Sequence, residues 1–84
     1  PPLHKGMDSK AWSEALGAGF EDLQHKCSTG KDIGIDCYAA SSPAEYFAVL
    51  SEVFFERPDV IQQHYPAVYD QLRQYYRQDP LTWH

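Results

Sequence analysis

Basic residues are few in this 84-residue chain and they are scattered. Seven Lys and Arg stand against twelve Asp and Glu, for a formal charge of −5. Lys5, Lys10, Lys26, Lys31, Arg57, Arg73 and Arg77 form no cluster, and phosphate neutralisation needs one, so direct nucleic-acid binding is excluded. No apolar run approaches the roughly 20 residues that cross a bilayer, so no membrane partner is expected. There is no G-x-S-x-G, no phosphate-cradling glycine loop and no Cys/His nucleophile pair. His4, His25, His64 and His84 offer no i, i+4 pair, hence no H-E-x-x-H helix, and each reads as a surface or loop histidine. Only two cysteines occur, Cys27 and Cys37, in neither a C-x-x-C motif nor a Cys/His cluster. That usage fits a reduced cytoplasmic protein better than a stapled secreted one, with a Cys27–Cys37 bridge as the alternative.

Aromatics are plentiful. Two Trp, six Tyr and four Phe supply large apolar area to a chain short enough that its core must be thin. The start, Pro1-Pro2-Leu3 without methionine, leads us to expect a piece of a longer protein.

The periodicity predicts an all-α fold of three to four helices. Asp8 is a candidate N-cap for a first helix whose stripe is Trp12, Leu16, Phe20, Leu23 and Cys27. Gly17 and Gly19 weaken it by roughly 1 kcal/mol each, unless something packs close there. Residues 28–32 end it, and residues 33–41 read as an extended connector. Ser42-Pro43-Ala44-Glu45 matches a capping box with proline at the first helical position. The helix it opens runs to Pro58, and its many large apolar residues imply burial on several sides. Arg57-Pro58-Asp59 restarts a short helix to about His64. Pro66 opens the last one, along which Val68, Tyr69, Leu72, Tyr75 and Tyr76 recur at helical spacing. Asp79-Pro80 ends it and leaves a tail.

Glu45 is the sharpest candidate for chemistry. It is either a capping-box glutamate reaching back to the Ser42 amide or a metal-ligating carboxylate, kept ionised by the helix N-terminus. Glu52 falls within about 20° of it on the helical wheel, with Ala48 on the same side. Its bulky neighbours suggest a buried, partnered carboxylate, suited to accept a hydrogen bond from a metal-bound imidazole; the plain alternative is a surface glutamate. Tyr38, on the connector, either packs its ring or donates to a developing oxyanion. The tyrosines of the last helix read as core, or, if exposed, as a partner-binding face.

The stretch YAASSPAEYFAVLSEVFFERPDVIQQHYPAVYDQL, together with the opening PPLHKGMDSKAWSEAL, resembles the C-terminal region of the Mlc titration factor A family of zinc metallopeptidases. The resemblance covers nearly the whole chain. It implies that residues 1–84 are the C-terminal helical part of a single gluzincin-like catalytic domain whose H-E-x-x-H portion lies upstream of Pro1. It implies zinc in the intact protein, held by two histidines and the glutamate of P-A-E-[FY]-F-A, here Glu45. Tyr38, seven residues earlier, matches a proposed active-site tyrosine, and aminopeptidase-type activity on a peptide substrate would follow. The family also implies a second partner, the Mlc-type transcriptional repressor, which keeps a non-catalytic interaction module as the alternative function. Cys37 departs from the family, where proline is expected. Alone, these residues should hold no zinc, and the face left open should favour self-association.

Overall fold

In the computed structural model, which describes residues 2–83, four α-helices follow one another, with no strand among those residues. They are α1 (Ser9–Ser28), α2 (Pro43–Glu56), α3 (Pro58–His64) and α4 (Pro66–Tyr76), with 3-10 turns at Cys37–Ala40 and Pro80–Thr82. The fold is all-α as expected. His84 lies outside the described residues. No helix among them is long and apolar enough to cross a membrane.

Each helix start has a local cause. Asp8 caps α1, its Oδ1 accepting from the amides of Lys10 at 2.9 Å and Ala11 at 3.3 Å. Ser42 caps α2, its Oγ accepting from the Glu45 amide at 3.2 Å. Helices α3 and α4 have no side-chain cap and begin instead on Pro58 and Pro66, whose fixed φ suits the first turn and whose missing N–H is not needed there.

The core is assembled from Leu23 of α1, Leu50 and Phe54 of α2, Ile61 of α3, and Val68 and Leu72 of α4, all fully or almost fully buried. Burying each such side chain contributes roughly 1.5–3 kcal/mol. The rest of the α1 stripe (Trp12, Leu16, Phe20 and Cys27) packs half-buried on this centre. The two glycines of α1 differ. A Cβ on Gly19 would stand 2.6 Å from Tyr46 Oη and 3.0 Å from Val68 Cγ2, while one on Gly17 would meet nothing within 4 Å. The bare backbone at Gly19 is what lets the Tyr46 hydroxyl reach the Leu16 carbonyl, to which it donates at 2.8 Å.

The tyrosines close the core rather than forming a partner face. Tyr65 and Tyr69 are buried. Tyr65 donates to Asp22 at 2.8 Å, and Tyr69 bonds Asp79 while accepting from the Leu81 amide at 3.1 Å. The expected tail is thereby docked, with Pro80 buried. Tyr75 packs against Trp12 (5.4 Å between centroids) and Phe47 (5.9 Å), and the His4 ring stacks on it while bonding its carbonyl at 2.6 Å.

Two expectations fail in the connector. Its second half is the 3-10 turn Cys37–Ala40, not extended chain. Its cysteine is also bonded: Cys27 and Cys37 form a disulfide with their Cα atoms 5.8 Å apart, which overturns the reading of two reduced thiols. Gly30 (φ 77°) and Gly34 (φ 86°) reverse the chain in left-handed conformations. Ile33 and Ile35 plug into the core. Together they bring Cys37 back beside the last turn of α1.

Candidate functional site

The expected burial of α2 on several sides holds except along one strip, with Phe47, Val49 and Val53 half-buried beside the core-facing residues. Tyr46, Leu50 and Phe54 face the core, whereas Ala48, Glu52 and Phe55 are exposed and Glu45 is half-buried. At 100° per residue the last four fall within about 80° of one another, opposite the core-facing three. The strip carrying both carboxylates is therefore the helix side that this chain leaves uncovered.

Glu45 stands in the first turn of α2, where the unpaired amides and the helix dipole favour an ionised carboxylate. Its backbone amide is taken by Ser42 Oγ, but among the described residues no hydrogen bond or ion pair engages its carboxylate. The capping box is thus formed in one direction only. Glu52 corrects an expectation: it is exposed, not buried, and no partner engages it among the described residues. Apart from Phe55, which shares the exposed strip, the large apolar neighbours that suggested burial turn to the other sides of the helix.

Tyr38 sits in the 3-10 turn immediately before α2. Asp36 caps that turn, its Oδ1 accepting from the Tyr38 amide at 2.9 Å, and Ser41 Oγ donates to the Tyr38 carbonyl at 2.6 Å. Fully buried Ala39 anchors the turn, and Gln24 of α1 donates to the Ala40 carbonyl at 3.3 Å. The Tyr38 side chain itself is 59% exposed, so its ring does not pack into the core. Its backbone is held firmly and its phenol is presented outward.

No group of three His, Cys, Asp or Glu able to hold a metal ion occurs among the described residues. Glu45 has the chemistry of one zinc ligand, an outward carboxylate at a helix N-terminus, and a zinc site needs three or four. The described histidines do not supply the others: His4 is committed to Tyr75, His25 lies exposed near the end of α1, and His64 is half-buried beside Tyr65.

Two features next to the candidates differ from the leading reading of the sequence, which held the first only as an alternative and did not include the second. The disulfide places a covalent tie one residue before Tyr38. The Tyr46 hydroxyl fixes the first turn of α2 on α1, one residue after Glu45; burial holds the pKa of that phenol far above its usual value. The unusual glycine pair in α1 was the available signal for the second. On the core-facing side of the same turn, Trp12, Leu16, Phe20, Pro43 and Phe47 line an apolar groove of about 280 Å³.

Residues 1–77 match the family described as Glucose-regulated metallo-peptidase M90. The chain is similar to Mlc titration factor A of Edwardsiella ictaluri, being 49% identical over 84% of this chain and 28% of that protein. It is 42% identical to Mlc titration factor A of Serratia proteamaculans, over 98% of this chain and 32% of the relative. For the Yersinia pestis (strain Pestoides F) protein of the same name the figures are 41%, 98% and 31%. The chain therefore spans less than a third of the length of these relatives. No solved structure matches it.

Proposed function

This chain belongs to the glucose-regulated metallo-peptidase M90 family, and from that premise we propose that it is the C-terminal helical part of a zinc peptidase of aminopeptidase type, to which it contributes a metal ligand and an oxyanion donor. Glu45 is the ligand and Tyr38 the donor. The observation that carries the reading is the placement of Glu45: a carboxylate with no partner among the described residues, in the first turn of a helix, on the one side of α2 that this chain does not cover. An acid with a structural task would be expected to be paired. A ligand whose companions lie on another segment would be expected to face out.

Zinc, when bound, supplies Lewis acidity toward a peptide carbonyl. Glu45 holds one position in its shell, and the helix N-terminus keeps the carboxylate in the deprotonated form that ligation needs. Tyr38, with its backbone pinned by Asp36 and Ser41 and its hydroxyl outward, donates a hydrogen bond to the carbonyl oxygen as negative charge grows there. Glu52, one helical repeat beyond Glu45, would accept from an imidazole N–H of a ligating histidine and orient that ring. In this reading the remaining ligands and the general base lie outside the described residues.

A second reading rests on the relatives' name, Mlc titration factor A, which speaks of titrating Mlc. In it the helices serve as a protein-binding module for a repressor of that type. The apolar groove on α1 and α2 supports this reading, since it lies on the opposite side of α2 from Glu45 and would serve binding without obstructing the acid. The two readings coexist if the two sides act separately.

The decisive experiment is Glu45→Gln in the full-length protein, assayed for bound zinc and peptide hydrolysis. We expect both to be lost, with the fold retained. Stoichiometric zinc with normal turnover in that variant would remove Glu45 from the metal shell and leave the binding module as the better account.

A further inference from the structure

We propose that the Cys27–Cys37 disulfide is a redox-controlled tether that sets the aim of Tyr38; the inference rests on the reading of Tyr38 as the oxyanion donor. The bridge joins the last turn of α1 to the residue immediately before Tyr38. No other covalent link shortens the path between those two points, which are otherwise ten residues apart along the chain. The other holds on the turn are all noncovalent: the Asp36 cap on the Tyr38 amide, the Ser41 bonds to its carbonyl, the Gln24 bond to the Ala40 carbonyl and the buried methyl of Ala39. Tyr38 is 59% exposed and so takes little guidance from side-chain packing. Its direction therefore follows from where the backbone is tied, and Cys37 carries the one covalent tie, on the residue next to it.

The bridge is also placed to be cut. Cys37 is exposed and Cys27 half-buried. An open depression of about 280 Å³ runs beside both, lined by Gly30, Lys31, Asp32, Ile35 and Asp36. A small dithiol fits that approach. Its thiolate attacks Sγ of Cys37, the Sγ–Sγ bond breaks, and Cys27 leaves as a thiolate that takes up a proton. The second thiol of the reductant then displaces Cys37, which leaves as a thiolate and is protonated in turn. The protein gains two electrons and two protons, and the dithiol departs as its own disulfide. Ile33 and Ile35 stay buried throughout, so the loop remains docked while the edge bearing Tyr38 loosens.

The test uses the full-length, zinc-loaded protein, treated with a dithiol that is then removed, with zinc content checked. Peptide hydrolysis and amide hydrogen exchange over residues 28–41 are measured before treatment, after it, and after reoxidation. We expect kcat to fall by up to about a hundredfold, the scale of a misplacement of about 1 Å at a catalytic group, with KM and zinc content unchanged, exchange faster, and all values restored by reoxidation. The Cys27→Ser/Cys37→Ser variant should stand at the reduced level and ignore the dithiol. Equal turnover in oxidised and reduced protein overturns the proposal, as does a dithiol response in the double-serine variant. Tyr38→Phe separates the two layers: if it loses turnover while reduction costs nothing, only the tether is lost. If it is fully active, the tyrosine's role fails and its control fails with it.

Discussion

On one side of α2, Tyr46, Leu50 and Phe54 are 4%, 0% and 0% exposed and touch three other helices' worth of core; on the other, Ala48, Glu52 and Phe55 face outward beside half-buried Glu45. The two sides share a backbone and a cap, so propensity and capping cannot account for their difference. The inner side is explained within this chain, where each residue has neighbours that fix its size. The outer side is not. Its two acids have no partner among the described residues, and its aromatic, Phe55, is 36% exposed, with partial cover from Phe54, Tyr76 and Trp83. A helix satisfied on one side and unmatched on the other is what a shared active site requires of the part that supplies one ligand.

The largest effect should come from the inner side. Phe54 is fully buried and packs its ring against Phe55, Tyr69 and Tyr76. Phe54→Ala should cost about 3–5 kcal/mol in urea denaturation, through lost transfer energy and the cavity left behind. Glu52→Gln, two residues earlier on the outer side, should change stability by less than about 0.5 kcal/mol. Comparable losses from both would erase the distinction between the sides.

The inner side was largely legible beforehand. The spacing of Trp12, Leu16, Phe20 and Leu23, the Ser42-Pro43 start and the prolines at 58 and 66 each act through neighbours in sequence, and all appear where expected. The outer side was legible as a pattern but misjudged in environment. Counting apolar residues around α2 suggested burial on several sides, whereas only the angular distribution tells which part of the circumference stays open, and that led to Glu52 being read as buried rather than as the surface glutamate it is. The disulfide was legible only as the less favoured alternative. Two cysteines ten apart say nothing of the left-handed glycines and buried isoleucines that fold the chain back between them. Glu45 could be singled out because its cap, proline and helix position are local, while the companions that the proposed metal shell needs are not among the described residues.

The fit of the inner side can be tested at the two glycines of α1. Gly17→Ala meets no atom and gains helix propensity, so it should stabilise the protein by roughly 0.5–1 kcal/mol. Gly19→Ala gains the same propensity but drives its methyl against Tyr46 Oη and Val68. Displacing a buried tyrosine and its hydrogen bond to Leu16 should outweigh the gain and leave a net loss of about 1–3 kcal/mol. A Gly19→Ala variant as stable as Gly17→Ala would mean that α1 and α2 are not locked at that point, and that the first turn of α2 is free to shift.

The smallest effect concerns an acid that does have partners. Asp22 of α1 accepts from the Lys26 ammonium at 2.8 Å and from the Tyr65 hydroxyl at 2.8 Å, and Lys26 also lies 5.3 Å from the centre of the Tyr65 ring. The Lys26 hydrogen bond first, then that of Tyr65, holds the carboxyl below its usual pKa. A folded-state value below the unfolded one means that the unfolded chain takes up the proton first as pH falls. The stability Asp22 contributes is therefore complete above the unfolded value of about 4 and is lost as pH drops through the folded value. The site is open to solvent and screened, so the contribution is small. Asp22→Asn keeps an acceptor for Tyr65 and removes the titration. Urea midpoints measured from pH 6 down to about 2 should fall less steeply below pH 4 for Asp22→Asn than for the parent. An identical acid limb in the two proteins would mean that the partners of Asp22 confer no folded-state preference for its charge, and that the contrast with the unpartnered acids of α2 is one of position alone.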